Sequence, residues 1–125
     1  LLVNITLGRQ YITTSDVQWA IEKVFLAEYV KELPKGLDTE IEISGHKLSK
    51  STIQKIIIAR SLVNKPKLIL LENHIDFIEE NEGKKIIEFL IDKRNEWTLI
   101  CISNNTYLQQ HADEVIYMSE GQIKS

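Results

Sequence analysis

Apolar positions along this chain change their period several times, and each change marks an element. Val17, Ala20, Ile21, Val24, Leu26 and Val30 recur at roughly helical spacing. A helix is therefore expected from Ser15 towards Pro34. Ser15 with Gln18 would make its capping box, and Asp16 suits the positive end of the helix dipole. Leu33, just before Pro34, is expected to be extended. Trp19, Phe25 and Tyr29 on this stretch read as packing residues. Glu40 to Ile43 alternates polar and apolar, as a short extended segment would, and Gly45 marks a turn. A second helix is expected from Ser49 or Lys50 to Val63. Its load of Ile53, Ile56, Ile57 and Leu62 suggests burial on more than one side, between two layers. Lys65-Pro66 stops it.

The second half alternates strands and helices. Lys67 to Leu71 is a short continuous apolar run, which suits a central strand of a parallel sheet with both faces covered. Helix signals return from about Glu79 to Lys93, with Ile86, Ile87, Phe89, Leu90 and Ile91 on the core side. Thr98 to Ile102 reads as a second strand, Thr106 to Gln110 as a short helix and Glu114 to Met118 as a third strand. Ser119-Glu120-Gly121-Gln122 is a hairpin turn, with Ile123 starting the return. This order argues an α/β domain with a largely parallel sheet.

Composition narrows the class without naming a chemistry. The 125 residues suffice for one domain with one core. With 43% hydrophobic and 26% charged residues, the chain is ordinary globular protein. A net charge of -3 gives no electrostatic case for nucleic acid or an anionic membrane as partner. The single cysteine, Cys101, cannot form an internal disulfide, and a reducing compartment is expected. His46, His74 and His111 show no metal-ligand spacing.

Two places carry candidate chemistry. One is the start of the helix after Leu48, and the other is Glu72-Asn73 at the end of the first strand. Helix N-termini and carboxylates at strand ends are common places to handle a phosphate and its magnesium. The residues alone also allow a simpler account. Ser49 or Ser51 could be only an N-cap, Lys50 a solvated lysine, and Glu72 a carboxylate satisfied by the next helix.

These residues carry a resemblance. Gly36-Leu37-Asp38-Thr39, Gly45, Leu48-Ser49, Gln54, Ile58-Ala59-Arg60, Leu62, Pro66 and Leu70-Leu71 keep one register. They resemble the nucleotide-binding domain of ATP-binding cassette (ABC) transporters, most like the exporter type, whose pattern runs G-L-D-T, G-x-x-L-S-G-G-Q-x-Q-R, I-A-R-A-L, P and L-L-x-D-E. Asn4-Ile5 with Gly8 is similar to the N-I-x-x-G segment after the glutamine loop, and Ala112-Asp113 through Ile123 to the closing A-D segment. The resemblance implies part of a P-loop NTPase-like, three-layer α/β fold with a mainly parallel sheet plus part of the helical subdomain. Residues 1–63 would be helical subdomain and signature helix, and residues 64–125 the C-terminal part of the core sheet. In the family the helical subdomain contacts the membrane-spanning part, so an exposed aromatic there would be a docking candidate.

The resemblance also implies a function and, through its departures, a doubt about hydrolysis. ATP and Mg²⁺ are the expected cofactors of a longer parent, with none expected for this stretch alone. The expected partners are a second cassette and a membrane-spanning domain, at the cytoplasmic face of a membrane. Ser49, Lys50, Ser51 and Thr52 occupy the signature segment, which faces the partner cassette's ATP; Lys50-Ser51-Thr52 replaces G-G-Q. Glu72 takes the place of the magnesium-side Asp and would act through a water. Asn73 stands where the family has its catalytic Glu, and Asn104 where it has the switch His. Asp76-Phe77-Ile78-Glu79 corresponds to the S-A-L-D loop. An amide cannot accept a proton as a carboxylate does, so a weak or silent site is expected. An active ATPase in the parent and a non-transport scaffold remain as alternatives. The chain starts at Leu1 and contains no G-x-x-x-x-G-K-[ST] loop. The half carrying that loop is expected upstream, and the isolated stretch to be inactive. Two sheet edges would then lie open, so self-association, swapping, or pairing of the second strand with the third is expected.

Overall fold

The computed structural model describes residues 1–41 and 48–124. The chain opens with three helices, α1 (Leu2–Thr6), α2 (Thr14–Lys23) and α3 (Ala27–Glu32), and a single 3-10 turn over Gly36–Asp38. The long helix α4 (Lys50–Leu62) follows, then strand β1 (Leu68–Glu72), α5 (Glu80–Leu90), β2 (Thr98–Ile102) and α6 (Thr106–His111). A hairpin of β3 (Tyr117–Ser119) and β4 (Gln122–Lys124) closes the order. Glu40 and Ile41 carry no regular structure. The rest of the extended run expected to Ile43, and the Gly45 turn, lie outside the described residues.

The expected first helix is two helices, and its cap lies two residues earlier. Thr13, not Ser15, is the N-cap: its hydroxyl accepts from the Asp16 N–H at 3.1 Å, and Asp16 accepts from the Thr13 N–H at 2.9 Å. α2 ends in a Schellman turn. Phe25 takes the left-handed conformation at φ 60, the Leu26 N–H reaches the Ile21 carbonyl at 2.8 Å, and the Phe25 N–H reaches Glu22 at 3.2 Å. Ile21 and Leu26 are both buried, and that apolar contact turns the chain although no glycine marks the place. The packing expectation holds for Trp19 and Tyr29, which lie half-buried against the core. Phe25 corrects it. At 38% exposure it faces outward under Lys85, whose Nζ lies 5.7 Å from the ring centroid.

α4 packs on α1 and α2 and also on β1, so it does lie between two layers. Ile56, Ile58, Ala59 and Leu62 are buried in the cluster that takes Ile69 and Leu71 from β1 and Ile86, Ile87 and Leu90 from α5. The Arg60 Nε donates to the Asn4 carbonyl at 2.7 Å, and Lys55 pairs with Glu82 of α5. A ladder of edge-on rings, Trp19, Phe89 and Trp97, with centroids 5.7 Å apart at each step, joins α2 to α5 and to the entry of β2.

β1 and β2 pair in parallel, Leu68 opposite Thr98 through Glu72 opposite Ile102. The β1 run was expected to be covered on both faces. Instead its burial alternates: Ile69 and Leu71 point into the core while Leu70 is 64% exposed. Ile100 and Ile102 of β2 are exposed on the same terms. Helices cover one face, and among the described residues nothing covers the other. The implied three-layer sheet is thus present only in part, as two parallel strands. β3 does not pair with β2 to close the gap. Among the described residues it pairs only with β4, through Glu120 and Gly121, both at positive φ (51 and 76). That is the two-residue hairpin turn whose twist suits its strands, and it needs no distant partner.

Candidate functional site

The candidate site is built where β1 and β2 end side by side. Glu72 closes β1, and its carboxylate is exposed with no hydrogen bond or ion pair among the described residues. Asn73 then enters the left-handed region at φ 55, which Asn tolerates better than most side chains. Its N–H donates to the Ile102 carbonyl at 2.7 Å, which carries the β1–β2 pairing one residue past the strand. Its two amide neighbours are both acceptors, Asp76 Oδ2 at 3.2 Å and the Ile102 carbonyl at 3.3 Å, so the amide is assigned with its nitrogen facing them and donating to both. The amide is therefore a donor bridging two loops. His74 folds back so that its Nδ1 accepts from the Glu72 N–H at 2.9 Å, which places the ring proton on Nε2.

Asp76 is the hub of this end. Besides Asn73, it accepts from the Ser103 hydroxyl at 2.5 Å, and the Ser103 oxygen accepts from the Asn105 N–H at 3.0 Å. Ser103 was not singled out from the sequence, and His74 was weighed there only as a metal ligand. The position of Ser103, next to Asn104 at the end of a strand, was the available signal. The Cys101 thiol on β2 is pushed up to about 11 by burial and, secondarily, by the Asp76 charge.

The signature-equivalent residues sit at the start of α4. Ser49 is the N-cap: its Oγ accepts from the Thr52 N–H at 3.1 Å and lies 2.9 Å from Thr52 Oγ1. Ser51 and Thr52 are half-buried, and Lys50 is exposed. Its Nζ lies 5.2 Å from the centroid of the Phe77 ring, in the segment after β1. Glu79, at the other end of that segment, caps α5 by accepting from the N–H groups of Asn81 and Glu82, both at 3.0 Å. Those bonds hold its carboxyl below the usual range. Asn104 is exposed and lines a separate shallow polar concavity with Glu80, Lys84, Thr106 and Gln110. The structure thus brings Glu72, Asn73 and Asp76 together with Ser103, links Phe77 to Lys50, and leaves Asn104 facing elsewhere.

Among the described residues no group of three or more His, Cys, Asp and Glu side chains stands together as a metal cage. Magnesium does not need one. It keeps several waters and takes one or two carboxylates plus phosphate oxygens, and the free carboxylate of Glu72 fits that role.

The chain superposes on a bacterial Atm1-family ABC exporter with ATP bound over 99% of its length, with a TM-score of 0.88 and 25% identity. It is 30% identical over 125 residues to the ABC multidrug transporter MDR1 of Cryptococcus neoformans. It is 33% identical over 120 residues to the multidrug resistance-like ATP-binding protein MdlB of Buchnera aphidicola. The chain is similar to one stretch of the ABC exporters. Each of the two sequence matches takes in 96% of it. It spans only 9% of the first relative and 20% of the second, and 22% of the solved exporter chain. No family model matches it. None of the helices in the described residues is long and apolar enough to cross a membrane.

Proposed function

We propose that this chain is the part of an ABC exporter's ATP-binding domain that follows the phosphate loop, and that it makes a weakly hydrolysing or silent nucleotide site. On this reading residues 1–63 are helical subdomain and signature helix, and residues 64–125 the later part of the core sheet. The observation that carries it is Asn73. At the strand end, where a general base would polarise water, stands an amide that donates to Asp76 and Ile102. It has no proton-accepting carboxylate to offer.

The remaining residues take roles consistent with a site kept for its shape. Ser49 to Thr52, at the N-terminus of a 13-residue helix, would face the ATP held by a second cassette. Glu72 would hold magnesium through a water; when bound, the ion neutralises the phosphate oxygens of ATP. The exposed ring of Phe25 would lie among the contacts to a membrane-spanning domain, at the cytoplasmic face. The test uses the assembled transporter that contains this segment, with ATP binding and turnover measured separately. Low wild-type turnover with intact binding, raised by Asn73→Glu, is expected. Robust wild-type turnover that vanishes when the phosphate-loop lysine is changed would refute the silent-site reading.

A further inference from the structure

The segment between β1 and α5 is tied from outside at three points. The Asn73 N–H is held by the Ile102 carbonyl, Asp76 by the Ser103 hydroxyl at 2.5 Å, and the Phe77 ring lies under Lys50 Nζ at 5.2 Å. Ser103 passes the connection on by accepting from the N–H of Asn105, which caps α6 by accepting from Leu108 at 2.9 Å. An unbroken line of contacts therefore runs from the start of α4, through this segment, to the start of α6. Two adjacent side chains create it. Asp76 and Phe77 stand where the S-A-L-D pattern has Ser and Ala. A Ser there has one neutral oxygen in place of the two carboxylate oxygens that separately face Ser103 and Asn73, and an Ala has no ring to hold a lysine.

We propose that Asp76 and Phe77 form a two-point latch, an autoinhibitory contact that holds the candidate nucleotide face closed on itself. Ser103 fastens one point and Lys50 the other. The latch engages the polar groups at the strand ends with one another and directs the lysine at the α4 N-terminus onto a ring. The proposal rests on the reading of this face as a nucleotide site, but the latch itself is measured without nucleotide.

The experiment is amide hydrogen exchange and side-chain NMR on the 125-residue chain, for wild type, Ser103→Ala, Phe77→Ala and the double variant Asp76→Ser/Phe77→Ala. Ser103→Ala is expected to speed exchange at Asn73 and Asn105 by roughly tenfold, with the urea midpoint unchanged. Phe77→Ala is expected to abolish the ring-current displacement of the Lys50 ε-methylene signals. The double variant should show both effects. If Ser103→Ala fails to fold, Asp76→Asn serves instead, with a smaller acceleration at the same two amides. Unchanged exchange and unchanged Lys50 signals would overturn the latch, as would acceleration spread evenly over all protected amides. A latch that passes this test in a transporter with robust turnover would leave only the silent-site reading refuted.

Discussion

Leu70 and Leu71 are adjacent and chemically identical, and they face opposite sides of β1. Leu71 is 3% exposed and Leu70 is 64% exposed. Replacing each with alanine measures how the two faces differ. Leu71→Ala removes buried methyl groups and leaves a cavity among Ile69, Ile56 and their neighbours, a loss of about 3 kcal/mol within the usual range of ~2–5. Leu70→Ala removes groups that are mostly in water already. With about a third of the side chain covered, the loss should stay below about 1 kcal/mol. A domain of this kind is stable by ~5–15 kcal/mol, so both variants should fold. Urea unfolding followed by tryptophan fluorescence is the assay. Trp97 donates its indole N–H to the Leu90 carbonyl at 2.9 Å, and Trp19 stacks edge-on against Phe89, so both report on the core. With a slope of ~2 kcal/mol per molar, the Leu71→Ala midpoint should fall by about 1.5 M and that of Leu70→Ala by less than about 0.5 M. Equal losses of about 3 kcal/mol would refute the one-sided sheet and restore the doubly covered strand expected from the apolar run.

Ser49→Ala should cost about 1 kcal/mol through the lost cap on the Thr52 N–H, and Ser49→Asp should recover most of it; urea midpoints check both. Glu79 gives an acid-side prediction. Its carboxyl lies below its ordinary 4.5 because the Asn81 and Glu82 N–H groups favour the charged form. Its contribution is thus present above the unfolded value and lost as pH falls through the lower folded one. Wild-type and Glu79→Gln midpoints should differ at neutral pH and converge on acidification; a constant gap would contradict the capping role. The Cys101 thiol, at about 11 against an ordinary 9.0, should alkylate in the folded chain roughly a hundredfold more slowly near pH 8 than in urea, because only the thiolate reacts. Comparable rates would contradict its burial.

Much of this protein was legible in its sequence, wherever the physics is local. α4 starts after Ser49 because a hydroxyl there caps the Thr52 N–H, and it ends near Lys65-Pro66 because proline cannot continue it. β2 spans Thr98–Ile102 as its apolar run requires, and the Glu120-Gly121 turn makes its hairpin from neighbouring residues alone. The register of motifs that resembles ABC exporters is also local. Tertiary structure decided the rest. An apolar run such as Leu68–Leu71 does not say how many of its faces are covered, since that depends on what packs there. Nor did the helical spacing from Val17 to Val30 show that burying Leu26 against Ile21 would turn the chain at Phe25, a residue with no propensity for that turn. At the candidate site, Asp76 and Ser103 are 27 residues apart and meet only because parallel pairing brings the ends of β1 and β2 side by side. Spacing along a chain fixes which groups an element carries, whereas pairing between elements fixes which of those groups can touch.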